Sequence, residues 1–133
     1  MKNDASNPSL FSLWAPVVLY AALIFILSSF SFHLPWFQKT QKIHADKLVH
    51  VVEYVIFGVL VCRALSMQSF FKGAAGRLFI TVVLVGVLYG TSDEFHQRYV
   101  PYRDSSFGDG VADTVGTALG ALVWLTKIRK EYA

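Results

Sequence analysis

Long apolar stretches separated by short polar segments form the basic pattern of this chain. The first apolar stretch runs from Leu10 to Phe30 without a charged residue. A helix of that length spans roughly 30 Å, which is the thickness of the hydrocarbon core of a bilayer. Three more long, mainly apolar stretches follow. The pattern predicts an all-α fold, a polytopic membrane bundle of four transmembrane helices over about residues 10–30, 46–65, 78–97 and 107–126.

The segments outside these helices are short and polar. Residues 1–9 are predicted to form a cytoplasmic tail, and residues 31–45 and 66–77 are predicted to be loops. Neither a repeat nor a change in composition divides the chain further. We therefore expect a single membrane domain over residues 10–126, followed by a basic cytoplasmic tail over residues 127–133.

The composition supports the membrane interpretation. Of 133 residues, 54% are hydrophobic and 16% are charged, whereas an average soluble chain carries about 25% charged residues. A soluble domain of this length has too little interior to bury so many apolar side chains. The net charge is +3, but the basic residues lie between apolar stretches, so we expect no nucleic-acid partner. The single Cys62 excludes an internal disulfide and a cysteine metal cluster.

The distribution of basic residues predicts the orientation. Four spans place both termini on one side of the membrane. That side carries seven Lys/Arg residues, namely Lys2, Arg63, Lys72, Arg77, Lys127, Arg129 and Lys130. The other side carries five, namely Lys39, Lys42, Lys47, Arg98 and Arg103. Because cytoplasmic segments are enriched in Lys and Arg, the termini are predicted to lie in the cytoplasm.

Ionisable residues gather where the second helix starts, the third ends and the fourth starts, all at the predicted outer face. A charge at the centre of a membrane helix costs about 2.5–3.5 kcal/mol by insertion scales, so these side chains are expected to face one another. Residues four apart share a helix face; such pairs are Asp46/His50, Asp93/Gln97 and Asp109/Asp113. The predicted ligand-binding pocket is lined by Asp46, Lys47, His50, Glu53, Tyr54, Asp93, Glu94, Gln97, Arg103, Asp109 and Asp113.

Small residues follow the acids on the fourth helix. Ala112, Gly116 and Gly120 recur at every fourth position. Such spacing allows a second helix to approach closely inside a membrane. The stripe therefore predicts tight helix packing, which would bring Asp109 and Asp113 against the second and third helices.

Three roles for the ionisable residues remain open at this stage. They could form an ion-pair network that fixes helix register, with Lys47 and Arg103 as partners of the acids. They could bind a polar lipid headgroup, a phosphate or a sugar, because Arg suits phosphate through its paired donors. They could also be catalytic, with His50, Glu53, Asp93 and Glu94 as the candidate acids and bases.

The sequence supports a metal site less strongly than these three roles. His50, Glu53, Asp93, Glu94 and His96 have the side-chain types of a metal site. However, the sequence has no dense motif such as H-E-x-x-H. We therefore predict no metal ligands and no cofactor, and leave a divalent metal as a minor alternative.

Several blocks of the sequence resemble the VanZ-like family, small membrane proteins named for a protein linked to teicoplanin resistance. The blocks are Ser28-Ser29, Asp46-Lys47-x-x-His50-x-x-x-Tyr54, Asp93-Glu94-x-x-Gln97, Pro101-x-Arg103 and Asp109-x-x-x-Asp113-x-x-Gly116-x-x-x-Gly120. The chain has Thr114 where the family usually has Asn. The resemblance covers about residues 20–124 and implies a four-helix protein of the bacterial inner membrane.

The sequence as a whole predicts an envelope membrane protein with an outward-facing polar pocket. The expected partner is a membrane lipid or a lipid-linked envelope component, bound through its polar or phosphorylated group. The resemblance adds a possible effect on glycopeptide susceptibility. The alternatives are a membrane-embedded hydrolase or transferase on a lipid-linked phosphate, and a structural subunit with an ion-pair network.

Overall fold

Among the residues that the structure describes, four α-helices make up most of the fold. A computed structural model describes residues 8–30, 39–101, 103 and 106–128. For residues 39–46 it describes the backbone alone. The helices are α1 (Leu10–Ser28), α2 (Lys39–Ser66), α3 (Ala75–Gln97) and α4 (Phe107–Val123). A 3-10 turn over Ser69–Phe71 lies between α2 and α3, and a π-helical segment over Trp124–Ile128 follows α4. The predicted all-α bundle of four helices is confirmed.

In the described part of the chain, three helices are long and apolar enough to cross a membrane. These spans are Leu10–Ser28, Lys47–Ser66 and Ala75–Gln97. The fourth helix has 17 residues of α-helix before the five-residue π-helical segment. Many large apolar side chains point outward on all four helices, for example Phe11, Leu19, Leu88 and Phe107. Lipid is the environment that suits such a surface.

The predicted loop over residues 31–45 is wrong in its second half. Helix α2 begins at Lys39, whereas the hydropathy pattern predicted a start at about residue 46. The residues from Lys39 to Ala45 include neither proline nor glycine, and Lys, Gln and Ala favour helix. Hydropathy marked the apolar part of the helix correctly, but a helix need not end where its residues become polar.

Serine side chains define two of the helix starts. The Ser9 hydroxyl accepts a hydrogen bond from the backbone N–H of Ser12 at 3.1 Å. The Ser106 hydroxyl accepts one from the backbone N–H of Asp109 at 3.2 Å. Each serine thus satisfies one backbone N–H of the first turn that has no partner within the helix. Ser106 therefore fixes where α4 begins, next to the acids that the helix carries.

Contacts across the bundle show that α1 runs parallel to α3 and that α2 runs parallel to α4. The end of α1 meets the end of α3, where Ser28 contacts Asp93. The start of the apolar span of α2 meets the start of α4, where Lys47 contacts Asp109 and His50 contacts Asp113. These four helix ends form one polar end of the bundle. The apolar core fills the rest of the interior and includes Leu13, Val17, Ile24, Tyr54, Phe57, Val61, Leu78, Val82, Ala121 and Trp124.

Helices α2 and α4 lie so close that glycine is required between them. A Cβ atom on Gly120 would collide with the backbone oxygen of Val55, and one on Gly116 would collide with that of Val51. On the other side of the contact, a Cβ on Gly58 would meet the backbone of Thr117. The small-residue stripe therefore packs α4 against α2, as small residues do between membrane helices.

Candidate functional site

The polar end of the bundle brings together side chains from all four helices. The described residues of this polar cluster are Ser28, Lys47, His50, Glu53, Asp93, Glu94, Gln97, Arg103, Ser106, Asp109 and Asp113. Four of the acids and amides are almost fully buried, with exposed fractions of 3% for Asp93, 1% for Gln97, 3% for Asp109 and 0% for Asp113. Buried polar groups are costly unless they are paired, so their contacts determine what the cluster can do.

One hydrogen-bond network joins α1 to α3. Asp93 Oδ2 accepts a hydrogen bond from the Ser28 hydroxyl at 2.8 Å and another from the Gln97 amide at 2.7 Å. Gln97 Oε1 in turn accepts a hydrogen bond from Arg103 Nε at 3.4 Å, and Arg103 Nη1 donates to the backbone oxygen of Phe30 at 3.1 Å. The network ties the loop after α3 to the end of α1.

A second contact joins α2 to α4. His50 Nδ1 lies 2.8 Å from Asp113 Oδ1, and the two side chains are 3% and 0% exposed. A carboxylate on one ring nitrogen fixes the orientation of the imidazole and the tautomer it adopts. Gly90 on α3 makes room for this pair, because a Cβ there would lie 2.8 Å from Asp113 Oδ2.

The third contact is the ion pair between Lys47 and Asp109. Lys47 Nζ lies 2.8 Å from Asp109 Oδ1, and the Ser106 hydroxyl donates to Asp109 Oδ2 at 2.8 Å. The Lys47 side chain is 37% exposed while Asp109 is buried. The lysine thus covers the buried carboxylate from the solvent side, and it is one of the two basic residues predicted as partners of the acids.

Glu94 is the acid with the least complete set of contacts. It accepts a backbone hydrogen bond from Ser106, and its Oε1 is buried with no hydrogen-bond partner among the described residues. One ligand-type atom each of Glu94, His50 and Asp109 lie within 4.8 Å of one another. Three helices therefore bring an imidazole and two carboxylates together.

Other buried oxygen atoms share this incomplete pairing. Within the described part of the chain, no hydrogen bond reaches Tyr54 Oη, Asp93 Oδ1 or Asp113 Oδ2. Glu53 is half-buried and lies within electrostatic range of His50, Asp93, Arg103 and Asp113. The interior of the polar cluster therefore offers several acceptor atoms and few donors.

The structure places His96 apart from His50, with which the residue types grouped it as a possible metal ligand. His96 Nε2 lies 3.0 Å from the Ser29 hydroxyl, and its ring lies 4.4 Å from that of Phe25. These contacts are with α1, so His96 does not join the His50 group. The side chain of Asp46 lies outside the described residues, so its predicted place in the pocket stays a prediction.

A family model agrees with this architecture. The VanZ/LLP1 model matches residues 10–128. The chain belongs to the VanZ/LLP1 family. No curated protein and no solved structure matches it significantly. The suspected relationship is thus confirmed, and membership agrees with the apolar helices in making this VanZ/LLP1 chain a membrane protein.

Sequence reasoning about this VanZ/LLP1 protein missed the roles of three small residues. Ser28 is the hydroxyl partner of Asp93, Ser106 caps α4 and contacts Asp109, and Gly90 makes room for Asp113. Ser106 had a readable signal, because a serine three residues before an acid is a capping pattern. Ser28 was singled out only as part of the Ser28-Ser29 block of the family resemblance, with no role given to its hydroxyl.

Proposed function

We propose that this VanZ/LLP1 protein binds the polar or phosphorylated group of a lipid-linked envelope component at its polar cluster. In this proposal the protein resides in the bacterial inner membrane, its termini are cytoplasmic and the polar cluster opens outward. Binding at that position would place the ligand where a headgroup naturally lies, with its acyl chain in the bilayer. An effect on glycopeptide susceptibility would follow from the same ligand.

The observation that carries the proposal is the set of partners of Arg103. Its guanidinium is half-buried, and its hydrogen bonds among the described residues go to the neutral oxygens of Gln97 and Phe30. No described carboxylate lies within ion-pair distance of it. A guanidinium with this surrounding can offer two parallel donors to a phosphate.

The acids beside Arg103 would give the site its selectivity. Asp93 and Gln97 hold the loop that carries Arg103, so they fix where the guanidinium lies. Acceptor atoms without donors, such as Asp93 Oδ1, can take hydrogen bonds from hydroxyl or amino groups of a headgroup. The site would therefore favour a ligand with one anionic group and neighbouring donors over a simple anion.

The test is ligand-induced stabilisation of the purified full chain in detergent. Thermal unfolding is measured with a panel of phosphorylated and unphosphorylated envelope lipids, for the unmutated protein, Arg103→Gln and Arg98→Gln. Arg98 is an exposed arginine near the same end, which makes it the matched control. Stabilisation by a phosphorylated lipid that is lost in Arg103→Gln and kept in Arg98→Gln is expected. Equal stabilisation of all three proteins, or none by any lipid, contradicts the proposal.

A second candidate function is hydrolysis or transfer on a lipid-linked phosphate. It is favoured by the His50–Asp113 contact, because an imidazole oriented by a buried carboxylate is a common general base. Glu94 lies beside it as a possible acid or base. Release of phosphate or of a transferred headgroup from a defined lipid, lost in His50→Gln, would favour the enzyme over the binding protein.

A further inference from the structure

We propose that His50, Glu94 and Asp109 form a binding site for a divalent transition-metal ion. The three residues come from α2, α3 and α4, and one ligand-type atom of each lies within 4.8 Å of the other two. The three residues are far apart in the sequence and form no metal-binding motif there. The packing of the helices brings them together. The site needs no lipid ligand, so it stands independently of the proposed headgroup binding.

The donor set selects the class of metal. One imidazole and two carboxylates suit Zn²⁺ or Mn²⁺ better than Mg²⁺ or Ca²⁺, which prefer all-oxygen sites. With metal–ligand bonds of about 2.0–2.2 Å, tetrahedral ligand atoms lie roughly 3.4 Å apart. Small side-chain movements would therefore close the three residues on an ion. Three protein ligands leave a position for water or for a ligand oxygen.

The surrounding contacts are those that a metal site requires. Asp113 is fully buried, and its Oδ1 lies 2.8 Å from His50 Nδ1. Such a carboxylate fixes a metal-binding imidazole so that its second nitrogen carries the lone pair for the ion. Within the described residues, Glu94 Oε1 and Asp113 Oδ2 are buried and lack hydrogen-bond partners. A cation bound at these residues would give the buried Glu94 oxygen a partner.

The charge balance at this end of the bundle also favours a cation. The described acids of the polar cluster are Glu53, Asp93, Glu94, Asp109 and Asp113, whereas its described Lys/Arg residues are Lys47 and Arg103. Lys47 holds Asp109 at 2.8 Å, but its side chain is 37% exposed. A flexible, partly exposed ammonium can move into water when an ion takes its place on the carboxylate.

The test measures binding of Zn²⁺ and Mn²⁺ alone to the untagged full chain, stripped with a chelator and held in detergent. The variants are Glu94→Gln and Asp109→Asn, and the control is His96→Gln, which removes an imidazole that contacts α1 and lies outside the three residues. Saturable binding of about one ion per chain is expected, weakened at least about tenfold in both variants. The control is expected to bind as tightly as the unmutated protein. No saturable binding, or binding unchanged in both variants, overturns the proposal.

A measurement on the unmutated protein keeps the test valid if a variant fails to fold. X-ray absorption at the zinc edge reports the ligand atoms directly. Nitrogen and oxygen ligands with imidazole scattering are expected. A sulfur ligand, which would implicate Cys62, or a shell without imidazole, overturns the assignment.

Discussion

The Ser28 hydroxyl lies 2.8 Å from Asp93 Oδ2 and joins the end of α1 to the end of α3. Both side chains are buried, at 4% and 3% exposure. The serine belongs to a helix whose other buried residues are apolar. Its hydroxyl therefore serves to satisfy a carboxylate on a distant part of the chain, and the two residues are structurally dependent on each other.

Replacing Ser28 should destabilise the protein through Asp93. In Ser28→Ala the carboxylate loses one of its two donors, so the free energy of unfolding should fall by about 1–3 kcal/mol. Unfolding in mixed micelles measures the change. The control is Ser92→Ala, because exposed Ser92 donates only to the backbone oxygen of Tyr89 on its own helix. Equal losses in the two variants would show that the contact between α1 and α3 contributes little.

The buried contact between His50 and Asp113 should show strong coupling. Each single alanine substitution removes this contact from the other, buried group, and breaking a buried pair costs about 3–5 kcal/mol. The double substitution should cost clearly less than the two single losses together. A chelator keeps metal out of this measurement. His96→Ala, which removes a histidine from the α1 side, should cost less than His50→Ala, and additive single losses would contradict the coupling.

The close approach of α2 and α4 should not tolerate a methyl group. In Gly120→Ala the new Cβ would meet the backbone of Val55 and Val59, so stability should fall by about 1–3 kcal/mol. The control is Gly110→Ala on the same helix, where a Cβ meets nothing within 4 Å. That variant should be stabilised by roughly 0.5–1 kcal/mol, because alanine favours helix. Two similar values would show that the helices do not depend on the glycine.

The proposed orientation predicts which ends of the bundle can be labelled from outside the cell. Arg98 and Lys72 are exposed at opposite ends, and each is replaced by cysteine in a Cys62→Ala background. An impermeant maleimide should label Arg98→Cys in intact cells and Lys72→Cys only after permeabilisation. The reverse result would place the polar cluster on the cytoplasmic side.

The number of helices, their membrane character and the acids of the polar cluster could be predicted from the sequence. Apolar length and composition determine these features locally, since a bilayer accepts only helices that satisfy their own backbone. The same reasoning misplaced the start of α2 at residue 46 instead of Lys39. Hydropathy marks where lipid ends, whereas a helix continues as long as its residues favour it.

The sequence by itself determined that His50, Glu94 and Asp109 lie near one end of the bundle. Only the tertiary structure decided that they meet, that Asp113 pairs with His50, and that Arg103 pairs with no described acid. These choices depend on how far α4 can approach its neighbours, which the backbone contacts of Gly116 and Gly120 set. The small-residue stripe predicted that α4 packs closely, but the register of α4 against α2 and α3 arises from packing across long sequence separations, and no local pattern of residues encodes it.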